Sequence, residues 1–141
     1  MAQELHRGRL IDHVQLVVAD LAASRRFYEA LFEVLEIPIG GSADGHFWCD
    51  ELFISSAESP AAAGDLTGRH HLAFQARDRV MVDAFYEAGL AAGGRDNGAP
   101  GERDYHPGYY AAFLLDPDGN NVEAVFHGEA ERSAASVRIS I

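Results

Sequence analysis

The pattern of apolar and polar positions repeats along the chain, and the repeat organises the whole sequence. The segment FYEA at 27–30 returns 58 positions later at 85–88, and the same offset aligns His13 with His71. In each copy, an apolar run that contains the histidine precedes an aspartate and then an amphipathic stretch that ends in the aromatic pair. The repeat predicts two copies of one structural module.

The first copy predicts the element order βαβββ. Residues 11–18 are rich in Val, Leu and Ile, which favours a strand, and Asp20 can cap a helix that runs to about Phe32. Apolar positions spaced three and four apart place one face of this helix in the core. Three short antiparallel strands are then predicted at 34–39, 47–49 and 52–55, separated by Gly-Gly-Ser and Asp-Glu segments.

The second copy predicts the same order. Its first strand covers 72–76, and its helix covers 78–92 and stops at Gly93-Gly94. A long glycine- and proline-bearing loop at 95–108 then precedes strands at 109–115 and 121–126, with the hairpin sequence DPDG between them. The fold class is therefore α+β, with two tandem βαβββ modules.

The boundaries of these units follow from composition. Module one spans about 9–57 and module two about 68–128, and a linker at 56–68, poor in bulky apolar residues, joins them. The tail at 129–141 is polar, but its last five residues alternate with period two. They predict a late edge strand or an arm onto a partner subunit.

Length and charge limit the classes of function. The chain has 141 residues, 48% of them hydrophobic, which suits one domain. Its net charge of −11 repels phosphate backbones, so nucleic acid is not an expected partner. No segment approaches the roughly 18 apolar residues of a membrane helix. Cys49 is the only cysteine, and the N-terminus lacks the pattern of a secretory signal, so we expect a cytoplasmic protein.

Three polar residues stand in otherwise apolar predicted strands: His13, His71 and Glu123. Burying such groups without partners costs about 2–7 kcal/mol. If the modules pack about a pseudo-twofold axis, the two histidines face each other across a central cleft. Two imidazoles and one carboxylate suit a divalent metal and leave positions open for water and substrate. We therefore expect the three side chains to converge on one cation.

Each of these assignments has an alternative. His70 competes with His71, because adjacent strand residues point to opposite faces, although the repeat aligns His71 with His13. Glu123 could be a solvent-facing glutamate at a strand edge. Any lone histidine in a strand could be a hydrogen-bonded structural residue.

Five motifs occur in order along the chain: IDHV at 11–14, DL at 20–21, FY at 27–28, HLAF at 71–74 and DPDGNNVE at 116–123. These ordered motifs resemble the vicinal oxygen chelate superfamily, which contains glyoxalase I, the fosfomycin-modifying transferases, the extradiol dioxygenases and the bleomycin-resistance proteins. The resemblance extends from about 10 to 127. It implies an open, cup-shaped mixed sheet around a central cleft and a divalent metal ion (Fe, Mn, Zn, Ni or Co) at His13, His71 and Glu123.

The sequence departs from glyoxalase I at one ligand. In that enzyme the last strand of the first module also donates a carboxylate, whereas here the counterpart falls near Phe53, with Glu51 the only nearby acid. The remaining set of two histidines and one carboxylate resembles the sites of the extradiol dioxygenases and the fosfomycin transferases.

The loop at 95–108 carries the other candidate catalytic groups. Arg103 could bind an anion, and Tyr105 and His106 could exchange a proton with substrate, as could Tyr109 just after the loop. Glu51 is a further candidate base. We interpret the loop as a lid over the cleft, with an ordinary surface loop on the far side of the sheet as the alternative.

The resemblance implies a small metal-dependent enzyme whose small-molecule substrate chelates the metal through two oxygens. Lyase or isomerase, transferase and ring-cleavage oxygenase chemistry all fit. The alternative is a metal-free, bleomycin-resistance-like protein that sequesters a cationic aromatic ligand, which the negative charge favours and the His, His, Glu set disfavours. A structural module without a ligand is a third possibility. We also expect a twofold homodimer, since apolar helices and an edge-like tail favour pairing, with the pocket built within one chain or across the dimer.

Overall fold

A computed structural model describes residues 4–9, 11–59, 65 and 70–140. No helix in this part of the chain is long and apolar enough to cross a membrane. The described elements, in chain order, are β1 (Glu4–Arg7), β2 (Val14–Val18), α1 (Leu21–Val34), β3 (Gly41–Ala43), β4 (His46–Cys49), β5 (Leu52–Ser56), β6 (His71–Gln75), α2 (Arg79–Ala91), β7 (Arg95–Glu102), β8 (Tyr110–Leu115), β9 (Asn121–Phe126) and β10 (Val137–Ser140).

Ten of these elements form two modules of identical order. Module one is β2-α1-β3-β4-β5 and module two is β6-α2-β7-β8-β9. Each module has a four-stranded sheet, with strand orders β2-β5-β4-β3 and β6-β9-β8-β7. In each sheet the first strand runs parallel to the last, and the other neighbours are antiparallel. The predicted α+β fold with tandem βαβββ modules is confirmed.

Both helices begin at the aspartates that the repeat aligns. The Asp20 side chain accepts a hydrogen bond from the Ala23 N–H, and the Asp78 side chain accepts one from the Met81 N–H. These contacts satisfy backbone donors that the first helical turn leaves free. After α2, Gly93 takes a φ of 100°, a left-handed conformation that favours glycine and ends the helix where the sequence predicts.

Module one differs from prediction between its helix and β4. The predicted strand at 34–39 is absent from the described structure, because α1 continues through Val34 and an irregular segment follows. The strand lies instead at β3, in the glycine segment expected to be a turn. Glycine is required there because Gly40 and Gly41 lie against the Trp48 ring, which a Cβ at either position would overlap.

Module two differs in the long loop. Its first eight residues, 95–102, form β7 against β8, so the prediction of a loop over 95–108 is wrong for that stretch. Register shifts at Asp96, Gly98 and Gly101 accommodate the glycines and the proline as bulges. Only the turn at 103–109 remains as a loop before β8.

The two ends of the chain pair with each other. The alternating tail is a strand, β10, and its partner is β1, with Arg7 opposite Val137. The tail strand is thus confirmed, whereas β1 had no sequence prediction. We call β1 and β10 the terminal ribbon. Residues 60–64 and 66–68 of the predicted linker lie outside the described residues.

One core joins the modules through their helices. Leu31 of α1 and Leu114 of β8 both pack against Gly89 of α2, whose missing side chain permits this approach. The buried Tyr28 hydroxyl donates a 2.6 Å hydrogen bond to Asp116 at the end of β8. Burial and this bond raise the pKa of Tyr28 well above its usual value.

The shared core leaves the opposite face of each sheet open. In the described part of the chain, β2 and β6 each have one sheet neighbour, and the two sheets are not hydrogen-bonded to each other. A single continuous cup is therefore not closed within this one chain, since the first strands of the modules lie at separate sheet edges.

Candidate active site

A buried carboxylate lies on the open face of module two. Val122 and Ala124 of β9 point into the core and are fully buried, so strand alternation turns Glu123 to the other face. Even so, Glu123 is only 2% exposed. Burial of a carboxylate requires polar partners.

Two side chains supply these partners. His71 Nε2 lies 3.0 Å from Oε1 of Glu123, and the Tyr109 hydroxyl donates a short hydrogen bond to Oε2. Burial raises the pKa of Tyr109, and the hydrogen bond to Glu123 and its negative charge raise it further. Tyr109 is therefore a neutral donor at physiological pH, and it holds the carboxylate in one orientation.

Two more histidines contact Tyr109. His106 Nε2 lies 2.9 Å from His127 Nδ1, and the two rings stack with centroids 5.1 Å apart. Each ring also meets Tyr109 edge-on at 5.3 Å. We call His71, Tyr109, Glu123, His106 and His127 the site cluster.

Sequence reasoning missed His127 and did not anticipate the contact between Tyr109 and the carboxylate. The signal for His127 was present: it stands four positions after Glu123 at the end of β9, and period-two alternation places both on the same face. Tyr109 directly precedes β8, and only the pairing of β8 with β9 brings it near Glu123.

His13 lies apart from this cluster. Its side chain is 59% exposed, its Nδ1 lies 2.7 Å from Oδ1 of Asp12, and its ring meets Phe53 edge-on. Among the described residues, no three His, Cys, Asp or Glu side chains come close enough to hold a metal. The expected convergence of His13, His71 and Glu123 is therefore not found within one chain, because β2 and β6 belong to separate sheets. Their assignment as ligands stays a prediction.

His71 and His70 have different surroundings in the structure. The His71 imidazole contacts Glu123, whereas His70 is exposed and accepts a hydrogen bond from the Asn121 N–H through its backbone carbonyl. The alignment by the repeat thus selected the histidine that meets the carboxylate.

The register of module one identifies the counterpart of Glu123. Ala73 stands opposite Glu123 in module two, and Gln15, its equivalent in the repeat, stands opposite Phe53. Phe53 therefore stands in module one where module two has the Glu123 carboxylate, as the sequence predicts. Glu51 lies before β5, and its backbone carbonyl accepts from the Val14 N–H.

The turn at 103–109 lies beside Glu123. Tyr105 meets Tyr109 edge-on at 4.9 Å, and the Arg103 guanidinium lies over the Phe113 ring, which stands opposite Glu123. The turn is thus on the face of the sheet that the lid interpretation requires. Tyr105 is 73% exposed, so it can reach a ligand only from the rim.

The open face of module one is aromatic. The Trp48 ring stacks between His46 and Phe53, with centroid distances of 5.6 and 5.5 Å, and His13 meets Phe53 edge-on. We call His46, Trp48, Phe53 and His13 the aromatic face. It offers planar groups to an aromatic or cationic ligand.

The donor types present in module two fit a divalent cation. An imidazole nitrogen and a carboxylate oxygen already lie within 3.0 Å of each other, and Glu123 forms no ion pair with an arginine in the described part of the chain. Imidazole with carboxylate suits Fe, Mn, Zn, Ni or Co. Two protein ligands are fewer than such sites ordinarily have, so a further ligand is needed.

Comparisons with known proteins agree on the family. The family model described as the Glyoxalase/Bleomycin resistance protein/Dioxygenase superfamily matches residues 10–124. An uncharacterised protein of Bacillus subtilis, YqjT, is 34% identical over 126 residues, which cover 80% of this chain and 95% of that protein.

Solved structures have the same fold. A glyoxalase/bleomycin resistance protein from Albidiferax ferrireducens is 32% identical with a TM-score of 0.67, over 82% of this chain and 97% of that one. A glyoxalase-related enzyme from Fulvimarina pelagi is 20% identical with a TM-score of 0.69, over 93% and 97% of the two chains. The chain belongs to the glyoxalase/bleomycin resistance protein/dioxygenase superfamily.

Proposed function

We propose that this protein is a metal-dependent enzyme that acts on a small substrate through two substrate oxygens. The observation that carries the proposal is Glu123, a carboxylate 2% exposed on the open sheet face and held between His71 and Tyr109. A carboxylate retained at this depth beside an imidazole is typical of a cation site and costly in a purely structural face.

Within this proposal the side chains have separate tasks. His71 and Glu123 would hold the cation, which supplies Lewis-acid stabilisation of negative charge on substrate oxygens. Tyr109 orients Glu123 through its hydroxyl. The His106–His127 pair can accept or return a proton at the rim, and Arg103 can bind an anionic group. Lyase or isomerase, transferase and ring-cleavage chemistry all use such a set.

We further propose that a homodimer completes the site. A second copy can place its β2 along the free edge of β6, so that His13 of the partner subunit reaches the His71–Glu123 pair. Two edges exposed at equivalent positions of two equivalent modules favour such a twofold arrangement. The aromatic face of one subunit would then form a wall of the same cleft.

The experiment that tests the enzyme proposal begins with protein purified without chelator. Elemental analysis should find about one equivalent of a transition metal per chain. The metal-loaded protein is then assayed with an α-ketoaldehyde and thiol, an epoxide and thiol, and a catechol with dioxygen. Turnover in one assay that is lost with chelator supports the proposal, whereas a metal-free protein inactive in all three after reloading overturns it.

A metal-free sequestering role is the second candidate. The stacked Trp48 of the aromatic face and the net charge of −11 favour a cationic aromatic ligand. One titration with a cationic aromatic compound distinguishes the two roles. Quenching of Trp48 fluorescence should persist in the presence of chelator only if the protein sequesters the compound without metal.

We expect His106→Ala to lower turnover by about a hundredfold, because the variant loses an imidazole that can accept or return a proton. The metal content should stay unchanged, because His106 contacts Tyr109 and His127 and has no contact with Glu123 among the described residues. Steady-state kinetics on whichever assay succeeds, with elemental analysis of the same preparation, measures both. His70→Ala is the matched control and should leave both unchanged. A loss of metal in His106→Ala would contradict the assignment, as would unaltered turnover.

A further inference from the structure

A cavity of about 840 Å³ lies between the two modules, next to the terminal ribbon. One wall comes from the end of α1 and the turn between β4 and β5, and the other from β6 and the start of α2. On the side of the ribbon it is lined by residues 7–9, 127, 128, 130 and 132–137. Among the described residues, His127 is the one member of the site cluster that lines it, whereas His71, Tyr109 and Glu123 do not, so this cavity borders the site cluster without including the carboxylate.

The charge of the cavity is opposite to that of the protein. The chain has 22 acidic residues and 11 basic ones, all of the latter arginines. The described lining contains two acids, Asp50 and Glu51, against four arginines, Arg7, Arg9, Arg77 and Arg132. Arg77 forms ion pairs with Glu36 and Asp78 at the surface, which reduces its contribution to the positive charge of the cavity. Cationic groups concentrated in a strongly acidic chain favour an anionic ligand.

Arg7 is the buried member of this group. It is 9% exposed, and its Nη1 donates to the backbone carbonyls of His6 and Asp50 at 3.1 and 2.7 Å. Its Nε finds no hydrogen-bond acceptor among the described residues and lies 3.7 Å from Oδ1 of Asp12. A nearby anion stabilises a buried guanidinium that has an unsatisfied N–H donor.

The rest of the lining is apolar. It combines aromatic and aliphatic side chains from both modules, namely Phe32, Leu35, Ile37, Phe74, Met81 and Phe126. Such a surface stabilises the hydrocarbon part of a ligand by removing it from water. A cavity that is apolar between the modules and cationic on the side of the ribbon matches a molecule that has a hydrocarbon body and an anionic head.

We propose that this cavity binds a small amphipathic carboxylate, such as a medium-chain or aromatic acid. The volume lies within the range of about 300–1,000 Å³ that is usual for small-molecule sites. The carboxylate would lie toward Arg7, Arg9 and Arg132, and the hydrocarbon toward α1 and β6. This site does not depend on the metal proposal, since it shares neither His71 nor Glu123.

Calorimetric titration of the intact protein with octanoate tests the proposal. The buffer contains EDTA, so that binding of the carboxylate to a metal cannot contribute and the outcome is separate from that of the enzyme proposal. We expect saturable binding that weakens by about tenfold or more for octanol and for octylamine, which lack the negative head. Each CH2 removed on going to hexanoate should weaken binding by up to about fourfold.

Two variants locate the binding. Arg9→Gln and Arg132→Gln should each weaken octanoate binding by about threefold or more, and both are exposed, so the fold should be retained. Arg138→Gln is the matched control, because Arg138 lies on the same ribbon and does not line the cavity. Equal binding of octanol, equal weakening by Arg138→Gln, or no octanoate binding at millimolar concentration would each overturn the proposal.

Discussion

Replacing Glu123 with Gln should weaken binding of a divalent cation by about a hundredfold or more, because a neutral amide is a poor ligand for such a cation. The change is nearly isosteric, and the amide oxygen can still accept the Tyr109 hydrogen bond, so the fold should be retained. Elemental analysis after purification without chelator measures the loss. The rise in Tm that the wild type shows when metal is added should also disappear, since only binding to the folded state stabilises it.

Matched variants make this result specific. His71→Ala should reproduce the loss, since its imidazole contacts the same carboxylate, whereas His70→Ala and Glu51→Gln should keep the wild-type metal content. The controls remove a histidine next to His71 in sequence and the acid nearest to Phe53, neither of which meets Glu123 among the described residues. Full metal content in both Glu123→Gln and His71→Ala would refute the cation site.

Chains carrying His13→Ala and chains carrying Glu123→Gln should recover metal binding when they are refolded together, although each alone binds poorly. In a dimer with sites built from two subunits, a mixed pair has one site with the partner's His13 beside an intact His71 and Glu123. Random pairing makes half of the dimers mixed, with one intact site in each, so we expect about a quarter of the wild-type metal content.

A second mixture controls for unspecific recovery. His71→Ala and Glu123→Gln alter the same module, so no pairing of these two chains rebuilds a site and their mixture should stay empty. Light scattering verifies that both mixtures are dimeric. Failure of the first mixture to recover metal, in a dimeric preparation, would contradict a site shared between subunits.

Local patterns in the sequence determined the modules. The FYEA repeat predicted two copies of one unit, Asp20 and Asp78 cap the helices as expected, and β9 covers the predicted 121–126. These features depend on the spacing of apolar residues and on side-chain bonds to nearby backbone, both of which are encoded within a few residues. The same repeat distinguished His71 from His70.

These local patterns did not predict the pairing between distant segments. β7 contains three residues that ordinarily disfavour strands, Gly98, Pro100 and Gly101, and it is a strand because β8 supplies hydrogen-bond partners. β1 pairs with a tail more than a hundred residues away. The spacing of apolar residues within either segment does not predict its partner, because the stabilising hydrogen bonds are made to backbone elsewhere in the sequence.

The candidate site divides in the same way. The sequence by itself determined its chemical groups, the alternation that turns Glu123 away from the core, and the absence of a second carboxylate at Phe53. Only the tertiary structure decided that Tyr109 and His127 join Glu123 and that His13 stands apart. The reason is the packing of α1 on α2 in one shared core, which leaves the edges of β2 and β6 separate within a chain.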